Sequence, residues 1–492
     1  MFRSKLRTGG STVLSALLCV LIGLVIGFIA LVVLAHVNMN NTYQNELAKY
    51  NSDQFEYADI VKVRNYLRNN SASDEMLAAA NGQFSEEDLK TICGYVVSNK
   101  DKLKPRDKYY TMDEVENILI SALPETDPDT LGEKATDFLA VVRTVVRTKP
   151  TGYTFGDVIS TAYNKGFKAV LLGGWYSMGE EPLGPRGEIA DAAPLIMTGL
   201  SVAFAFTTGL FNIGAAGQFT LGSFGALFCA LVLKLPWYVC MIAAILFGAI
   251  WGAIPGVFKA YFNVNEVITS IMFNWIGLYA VNTIMYGGGN SPMYYVKDSK
   301  TYRLEVVSPQ SRIPDLSGLG SNYFVQPATI AIFFAILIAI ILWIMLNKTT
   351  FGYELKACGY SKTAAKYAGI NEKRNIILSM TIAGALAGLG GALYCLSGSV
   401  QWNPQDSTAL PAVGFNGISV ALLASSHPIG SIFSALFISH ITMGGSRMEQ
   451  GIFPKEIANI ISGVIIYLCA FMMLFKNHIA KLFSPKAKGG VK

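Results

Sequence analysis

Ten apolar runs punctuate the chain, at 12–36, 190–210, 214–234, 237–258, 266–286, 326–346, 376–396, 412–426, 430–445 and 456–475. About 20 apolar residues in helical form cross the hydrocarbon of a bilayer. The pattern therefore predicts an all-α polytopic membrane protein with about ten transmembrane helices. The first run holds 25 residues without a formal charge and follows Arg3, Lys5 and Arg7. A cleaved secretory signal has an apolar region of about 7–15 residues, so residues 1–40 are expected to form a retained anchor helix. The runs at 412–426 and 430–445 are short and rich in Gly and Ser, which fits broken or re-entrant helices lining a protein-walled cavity.

Between the first two runs the pattern changes. Residues 41–150 carry apolar positions at helical spacing among many charges, as in Leu131, Ala135, Phe138, Leu139, Val142 and Val145. Ser85-Glu86-Glu87-Asp88 and Thr111-Met112-Asp113-Glu114 are capping-box patterns that start helices. About 110 residues can bury a small core of their own. This segment holds 19 acidic and 14 basic residues, a net of −5, so the rest of the chain carries +11. The expected organisation is an anchor (1–40), an extracellular acidic helical insertion (41–150), a connector (151–189), a helical membrane core (190–476) and a basic cytoplasmic tail (477–492). The insertion has two open readings: a prop for the outer face, or a docking surface for an external partner.

Composition agrees with the pattern. Apolar residues make up 52% of the 492 and charged residues 15%, against about 25% charged in soluble chains. Mean hydropathy is +0.40. An ordinary cytosolic enzyme, a disordered chain and a disulfide-rich secreted scaffold are excluded. Threading ten spans from a cytoplasmic N-terminus leaves fifteen Lys and Arg in the inner segments and six in the short outer loops. That is the positive-inside bias. The overall +6 fits basic loops against anionic membrane lipid rather than nucleic acid. Of seven cysteines only Cys93 lies within 41–150, so no disulfide forms inside it, and no CxxC or His/Cys spacing suits a metal. No P-loop, nucleophile elbow, HExxH or paired-carboxylate motif occurs, so no catalytic residue and no cofactor is expected in this chain.

The most informative loop runs from Phe351 to Ile370, between two strong apolar runs. Ser361 suits an N-cap and Gly369 a C′ position, and Ala364, Ala365 and Ala368 keep the bracketed helix slim. Such a helix fits a groove on another protein and can pass a push to the spans on either side. The loop resembles the coupling loop of permease subunits of ATP-binding-cassette importers, in the branch serving nucleosides and simple sugars. Three more segments resemble that branch's motifs in order: Thr208–Gln218, Asn265–Asn274 and Val413–Leu423. The nucleoside-type permeases are the nearest likeness.

The resemblance implies a transport subunit that is not itself an enzyme, in the cytoplasmic membrane of a bacterium. It implies two ATP-binding subunits that hydrolyse ATP, a second homologous permease subunit, expected as a heterodimer, and an external substrate-binding lipoprotein. Nucleosides are the expected cargo, with simple sugars as the alternative. Gly352, Glu354, Ala357, Gly359, Ala364, Ala365, Ala368 and Gly369 fall on the coupling loop. Asn212, Gln218, Asn265, Glu266, Asn274 and Asn416 fall on the motifs beside the pathway. Two departures remove charge: Ala216 stands where the family has Glu, and Asn416 where it has Asp.

The same residues have a plainer reading. Glu266 at the start of a run suits a headgroup or helix N-terminal carboxylate. The amides of Asn212, Gln218, Asn274 and Asn416 can serve inter-helix hydrogen bonds alone. Gly248, Gly252 and Gly256, like Gly384 and Gly388, recur every four residues and let helices approach closely. His427 and His440 read as isolated structural residues, and Tyr294, Tyr295, Tyr302 and Tyr323 as interfacial anchors. An ion-driven carrier is the main rival, but it needs ionisable groups deep in its spans, and the runs hold almost none. A membrane sensor is a second rival, for which ten spans are excessive.

Overall fold

A computed structural model describes residues 2–52, 54–105, 108–176, 186–316, 329–398, 400–404, 409–454 and 456–470. The chain divides into two compact units, Leu34–Ile159 and Met1–Val33 with Ser160–Lys492. Helix α1 (Phe2–Asn51) runs from the second into the first.

The 34–159 unit is a small helical domain. Its helices are α2 (Tyr57–Asn69), α3 (Asp74–Ala79), α4 (Glu86–Ser98), α5 (Lys100–Leu103), α6 (Met112–Ala122) and α7 (Leu131–Val146). Both capping boxes close. Asp88 N–H donates to Ser85 Oγ at 3.2 Å while Ser85 N–H donates to the Asp88 carboxylate at 2.8 Å. Thr111 and Glu114 exchange the same two bonds at 3.3 and 2.9 Å. Apolar faces meet in a core of Phe55, Ile60, Leu89, Ile92, Ile118, Leu119 and Phe138. Beyond α7, Arg147 donates to the carbonyls of Tyr50, Ser52 and Gln54 and lies 4.3 Å from the Phe55 ring centre. It thereby ties the last strand of chain back to the end of α1.

Cys93 is fully buried in this core, and burial pushes its thiol up to about 12. The thiolate is the nucleophile, so at pH 8 a maleimide should leave Cys93 untouched in the folded protein and modify it after denaturation. Peptide mapping checks this; rapid labelling of the native protein would show that α4 does not pack as described.

Helix α8 (Phe155–Thr161) carries the chain past the Ile159–Ser160 boundary, and the second unit continues with α9 (Lys168–Leu172), α10 (Arg186–Thr207), α11 (Ala215–Leu231), α12 (Trp237–Phe262), α13 (Glu266–Tyr286) and α14 (Leu304–Val307). It ends with α15 (Ala331–Lys348), α16 (Thr350–Tyr360), α17 (Lys362–Tyr367), α18 (Glu372–Cys395), α19 (Ala412–Leu423), α20 (Pro428–Ser446) and α21 (Glu456–Ala470). A two-residue ribbon, β1 (Tyr294–Tyr295) against β2 (Lys300–Thr301), lies between α13 and α14. Among the described residues, each apolar run of the sequence centres on a helix. Seven helices among the described residues are long and apolar enough to span a membrane, and three more, Ala215–Leu231, Ala412–Leu423 and Glu456–Ile465, are apolar but shorter. The tail at 477–492 and Tyr323 lie outside the described residues.

The most buried spans are α10 and α18, while α12 and α15 leave two thirds of their length open at the periphery. Glycines set the closest contact. A Cβ on Gly252 would lie 2.8 Å from Gly384 Cα, and one on Gly248 2.7 Å from Gly388 Cα. The four-residue glycine spacing on α12 thus meets its counterpart on α18, backbone to backbone.

Connections gather at two ends. At one end Thr207 Oγ1 donates to Ser426 O at 3.4 Å, Gly209 abuts Gly359, and Lys259 pairs with Glu266 at 2.7 Å. At the other, Gln310 Nε2 donates to Lys234 O at 3.0 Å, Ile313 N–H to Leu396 O at 2.9 Å, and Thr301 N–H to Trp402 O at 2.8 Å. Successive turns alternate between these ends, as a chain threaded back and forth across a membrane requires.

Candidate functional site

The motif residues assemble around the break between α10 and α11. Residues 208–214 leave helical form, with Gly209 at φ +75°, so backbone groups inside an apolar bundle need partners. Asn212 Nδ2 donates to Gln218 Oε1 at 2.8 Å and to Ser201 Oγ at 3.0 Å, and Gln218 Nε2 donates back to Asn212 Oδ1 at 3.1 Å. Ser201 Oγ in turn donates to the Ala383 carbonyl of α18 at 2.6 Å. Asn274 of α13 accepts from Gly217 N–H at 2.8 Å and donates to Ile213 O at 3.0 Å. All three amides are buried. Together they hold the broken turn against α11, α13 and α18.

The second motif forms the next turn at the same end. Asn265 caps α13 by accepting from Val267 N–H at 2.9 Å. Glu266, in the first turn, pairs with Lys259 at the close of α12, both mostly buried, and Lys362 of α17 adds a second positive charge nearby. The later motif lies on α19. Gly417 packs on Thr198, whose hydroxyl donates to Val413 O at 3.1 Å, and Gly414 packs on Ala216. Ala216 is thus a close contact between α11 and the backbone of α19. Asn416 is half-buried, and its amide has no partner among the described residues.

The capped helix expected between Ser361 and Gly369 is α17, and a second helix that was not expected, α16, precedes it. Thr349 Oγ1 accepts from Gly352 N–H at 3.1 Å and starts α16, and a Cβ on Gly352 would meet Leu346 Cα at 2.7 Å. The chain bends at Ser361, whose hydroxyl accepts from Ala364 N–H at 3.3 Å and caps α17. Gly369 closes α17 at φ +78°, the left-handed C′ geometry that favours glycine. Glu354 and Ala357 are half-buried on α16, Ala365 is buried, and Ala364 and Ala368 are exposed. A Cβ on Gly359 would lie 2.6 Å from Thr208 C. The helix pair therefore sits directly on the broken turn of the first motif. A cavity of about 160 Å³ lies beside that contact, lined by Thr208, Leu210, Cys358, Ser361, Asn375 and Ser379 among others.

Three tyrosines escaped the sequence reading. Tyr353, Tyr360 and Tyr367 are 71%, 91% and 90% exposed on this helix pair, so they face away from the bundle. Their seven-residue spacing was the available signal. His440 also differs from expectation: it is not isolated. Its Nδ1 lies 2.9 Å from Glu188 and its Nε2 3.0 Å from Leu171 O, while Gly174 N–H donates to the same carboxylate at 2.7 Å. This cluster pins the 173–175 turn to α10 and α20. His427 caps α20 by accepting from Gly430 N–H at 3.3 Å. Burial holds its pKa below the usual value, which keeps the neutral, accepting ring the cap needs.

A bundle of apolar helices whose polar breaks are tied to an exposed helix pair at one end is the architecture of a multi-pass permease subunit. Residues 188–470 match the family described as branched-chain amino acid transport system / permease component, and the chain belongs to that family. It is 35% identical over 345 residues to the guanosine ABC transporter permease protein of Bacillus subtilis, covering 69% of this chain and 91% of that one. It is 34% identical to the nucleoside ABC transporter permease protein of Lactococcus lactis, covering 69% and 94%. Identity to the glucose ABC transporter permease protein of Haloferax volcanii is 28%, covering 59% and 77%. No solved structure matches the chain. The family match begins beyond the 34–159 unit.

Proposed function

We propose that this chain is the membrane pathway of a bacterial importer for nucleosides, worked by ATP hydrolysis on separate ATP-binding subunits. The observation that carries the reading is the seat of Gly359 on Thr208 and Gly209. It joins the surface-exposed pair α16 and α17 to the broken turn whose amide network holds α11, α13 and α18. A push on α16 and α17 is thereby delivered to the pathway helices. In this reading the 351–370 segment faces the cytoplasm as the coupling element, and Tyr360 and Tyr367 are its aromatic anchors in the ATPase groove. The cargo assignment rests on the likeness to the guanosine and nucleoside permeases over nearly their whole length; the glucose permease is a more distant relative.

The full machine comprises a second, homologous permease subunit as a heterodimer and an external substrate-binding lipoprotein, in the lipid of the bacterial cytoplasmic membrane. The acidic 41–150 insertion lies outside the cell and the 477–492 tail inside. Asn212, Gln218 and Asn274 position the helices along the path, Asn265 and Glu266 set the turn beneath it, and Asn416 is the amide left to meet cargo.

The complete complex in proteoliposomes tests this. Guanosine uptake should require hydrolysable ATP and survive ionophores that collapse ion gradients. Uptake driven by a gradient without ATP would overturn the proposal, as would labelling that places Lys362 outside the cell.

A further inference from the structure

From Gly187 to Ala205, Asp191 is the only exposed residue of α10, in the most buried of the spans. Its neighbours Ala192 and Ala193 are sealed in the core. A carboxylate exposed on such a helix faces either lipid or a water-filled cleft, and its surroundings decide between them. One to two turns further along α10, Pro194, Met197 and Thr198 meet Gly390 of α18, and Thr198 also meets Val413 and Gly417 of α19. Asp191 lies on the same face as Pro194 and Thr198, so it points along the seam of these three helices and not outward. Protein crowds it on most sides although its atoms remain accessible.

The seam opens at this level. Tyr394, one turn beyond Gly390 on α18, is half-buried, and Ala412 at the start of α19 is exposed. Phe219 of α11 holds the Tyr394 ring at 5.7 Å between centres. α10 and α18 run antiparallel, with Pro194 against Gly390 and Ser201 Oγ on the Ala383 carbonyl, so Asp191, one turn before Pro194, stands level with Tyr394, one turn past Gly390. Neither the carboxylate nor the phenol has a hydrogen-bond partner among the described residues. A carboxylate with two accepting oxygens beside a free phenol, lacking any cation among the described residues, suits a neutral ligand bearing adjacent hydroxyls. It repels phosphorylated ligands.

We propose that Asp191, with Tyr394 beside it, is a specificity-determining contact that receives the vicinal diol of a ribose as cargo enters the seam of α10, α18 and α19. This rests on the nucleoside reading above and names the part of the cargo that is read.

The test uses the complete complex and two cargoes, guanosine and 2′,3′-dideoxyguanosine. The binding lipoprotein's own preference is common to all variants, so the change in uptake ratio between wild type and Asp191→Asn isolates this contact. Asp191→Asn should cut guanosine uptake about tenfold, the size of one charge-assisted contact, and dideoxyguanosine uptake less than twofold, with Asp191→Glu in between. In parallel, Asp191→Cys should react with a membrane-impermeant maleimide added from outside, above the wild-type background. An unchanged ratio, an equal loss of both cargoes or an unreactive Cys, with guanosine uptake intact in the wild type, overturns the diol contact and leaves the proposed function standing. Absence of any nucleoside uptake by the wild-type complex overturns both.

Discussion

Gly359→Leu should abolish productive uptake, by at least tenfold per ATP hydrolysed, while the protein remains in the membrane. A Cβ at Gly359 already lies 2.6 Å from the Thr208 carbonyl carbon and 2.8 Å from Gly209 N. Both neighbours are backbone, so no side-chain rotation relieves the clash. Gly209 itself is fixed at φ +75°, a conformation that L side chains rarely adopt, and the turn cannot easily swing away. Inserting extra carbon into a tight contact costs about 1–3 kcal/mol. Relief comes most cheaply by lifting α16, because its outer face carries the exposed Tyr353 and Tyr360 and nothing among the described residues covers it there. The lever would then still meet the ATPase yet no longer press on the broken turn. Ala365→Leu, at a 2% exposed position of α17, should act the same way more weakly. Uptake and ATP hydrolysis measured together in proteoliposomes check the ratio; wild-type coupling in Gly359→Leu would refute the lever.

Asn274→Leu should be the most destabilising of the single amide replacements. The side chain serves two backbone groups at once, Gly217 N–H and Ile213 O. Gly217 N–H lies where water does not replace the lost partner and Ile213 O is part-buried, and a buried group left unpaired costs about 1–3 kcal/mol. Asn274→Asp keeps the acceptor for Gly217 and loses the donor to Ile213, so it should fall between. Asn416→Leu breaks no bond among the described residues and should stay within about 0.5 kcal/mol of wild type. Thermal unfolding of the purified protein in detergent ranks the four; equal midpoints for Asn274→Leu and wild type would show that the network does not hold the turn.

These outcomes bear on what could be read in advance. The capping boxes at Ser85 and Thr111, the cap at Ser361 and the C′ glycine at Gly369 were legible because each is decided within four residues by local hydrogen bonding. The glycine spacings on α12 and α18 announced close packing, since a four-residue period keeps small residues on one helix face. The positions of Asn212, Gln218 and Asn274 were likewise legible as amides in apolar runs. Which carbonyls and amide protons they serve was not, because Asn274 reaches across 57 residues to Gly217. The Glu188–His440 pair spans 252 residues, and no spacing rule connects such partners. The exposure of Asp191 is a similar case. Its charge is visible in the chain, but only the neighbours on α18 and α19 show that it opens into protein.

The sequence by itself determined the class of the protein. Continuous apolar runs of bilayer length, asymmetric basic loops and local caps dictate helices and their order, because each depends on solvent preference or on bonds a few residues long. Tertiary structure alone decided which helices form the axis, that the 351–370 segment is a bent pair seated on Thr208 and Gly209, and that the motif amides brace a broken turn. Those facts are relations between surfaces distant in the chain. Within a bundle where nearly every face is apolar, hydrophobicity does not single out one pairing. Backbone contact at small residues and the need to satisfy each buried polar group do.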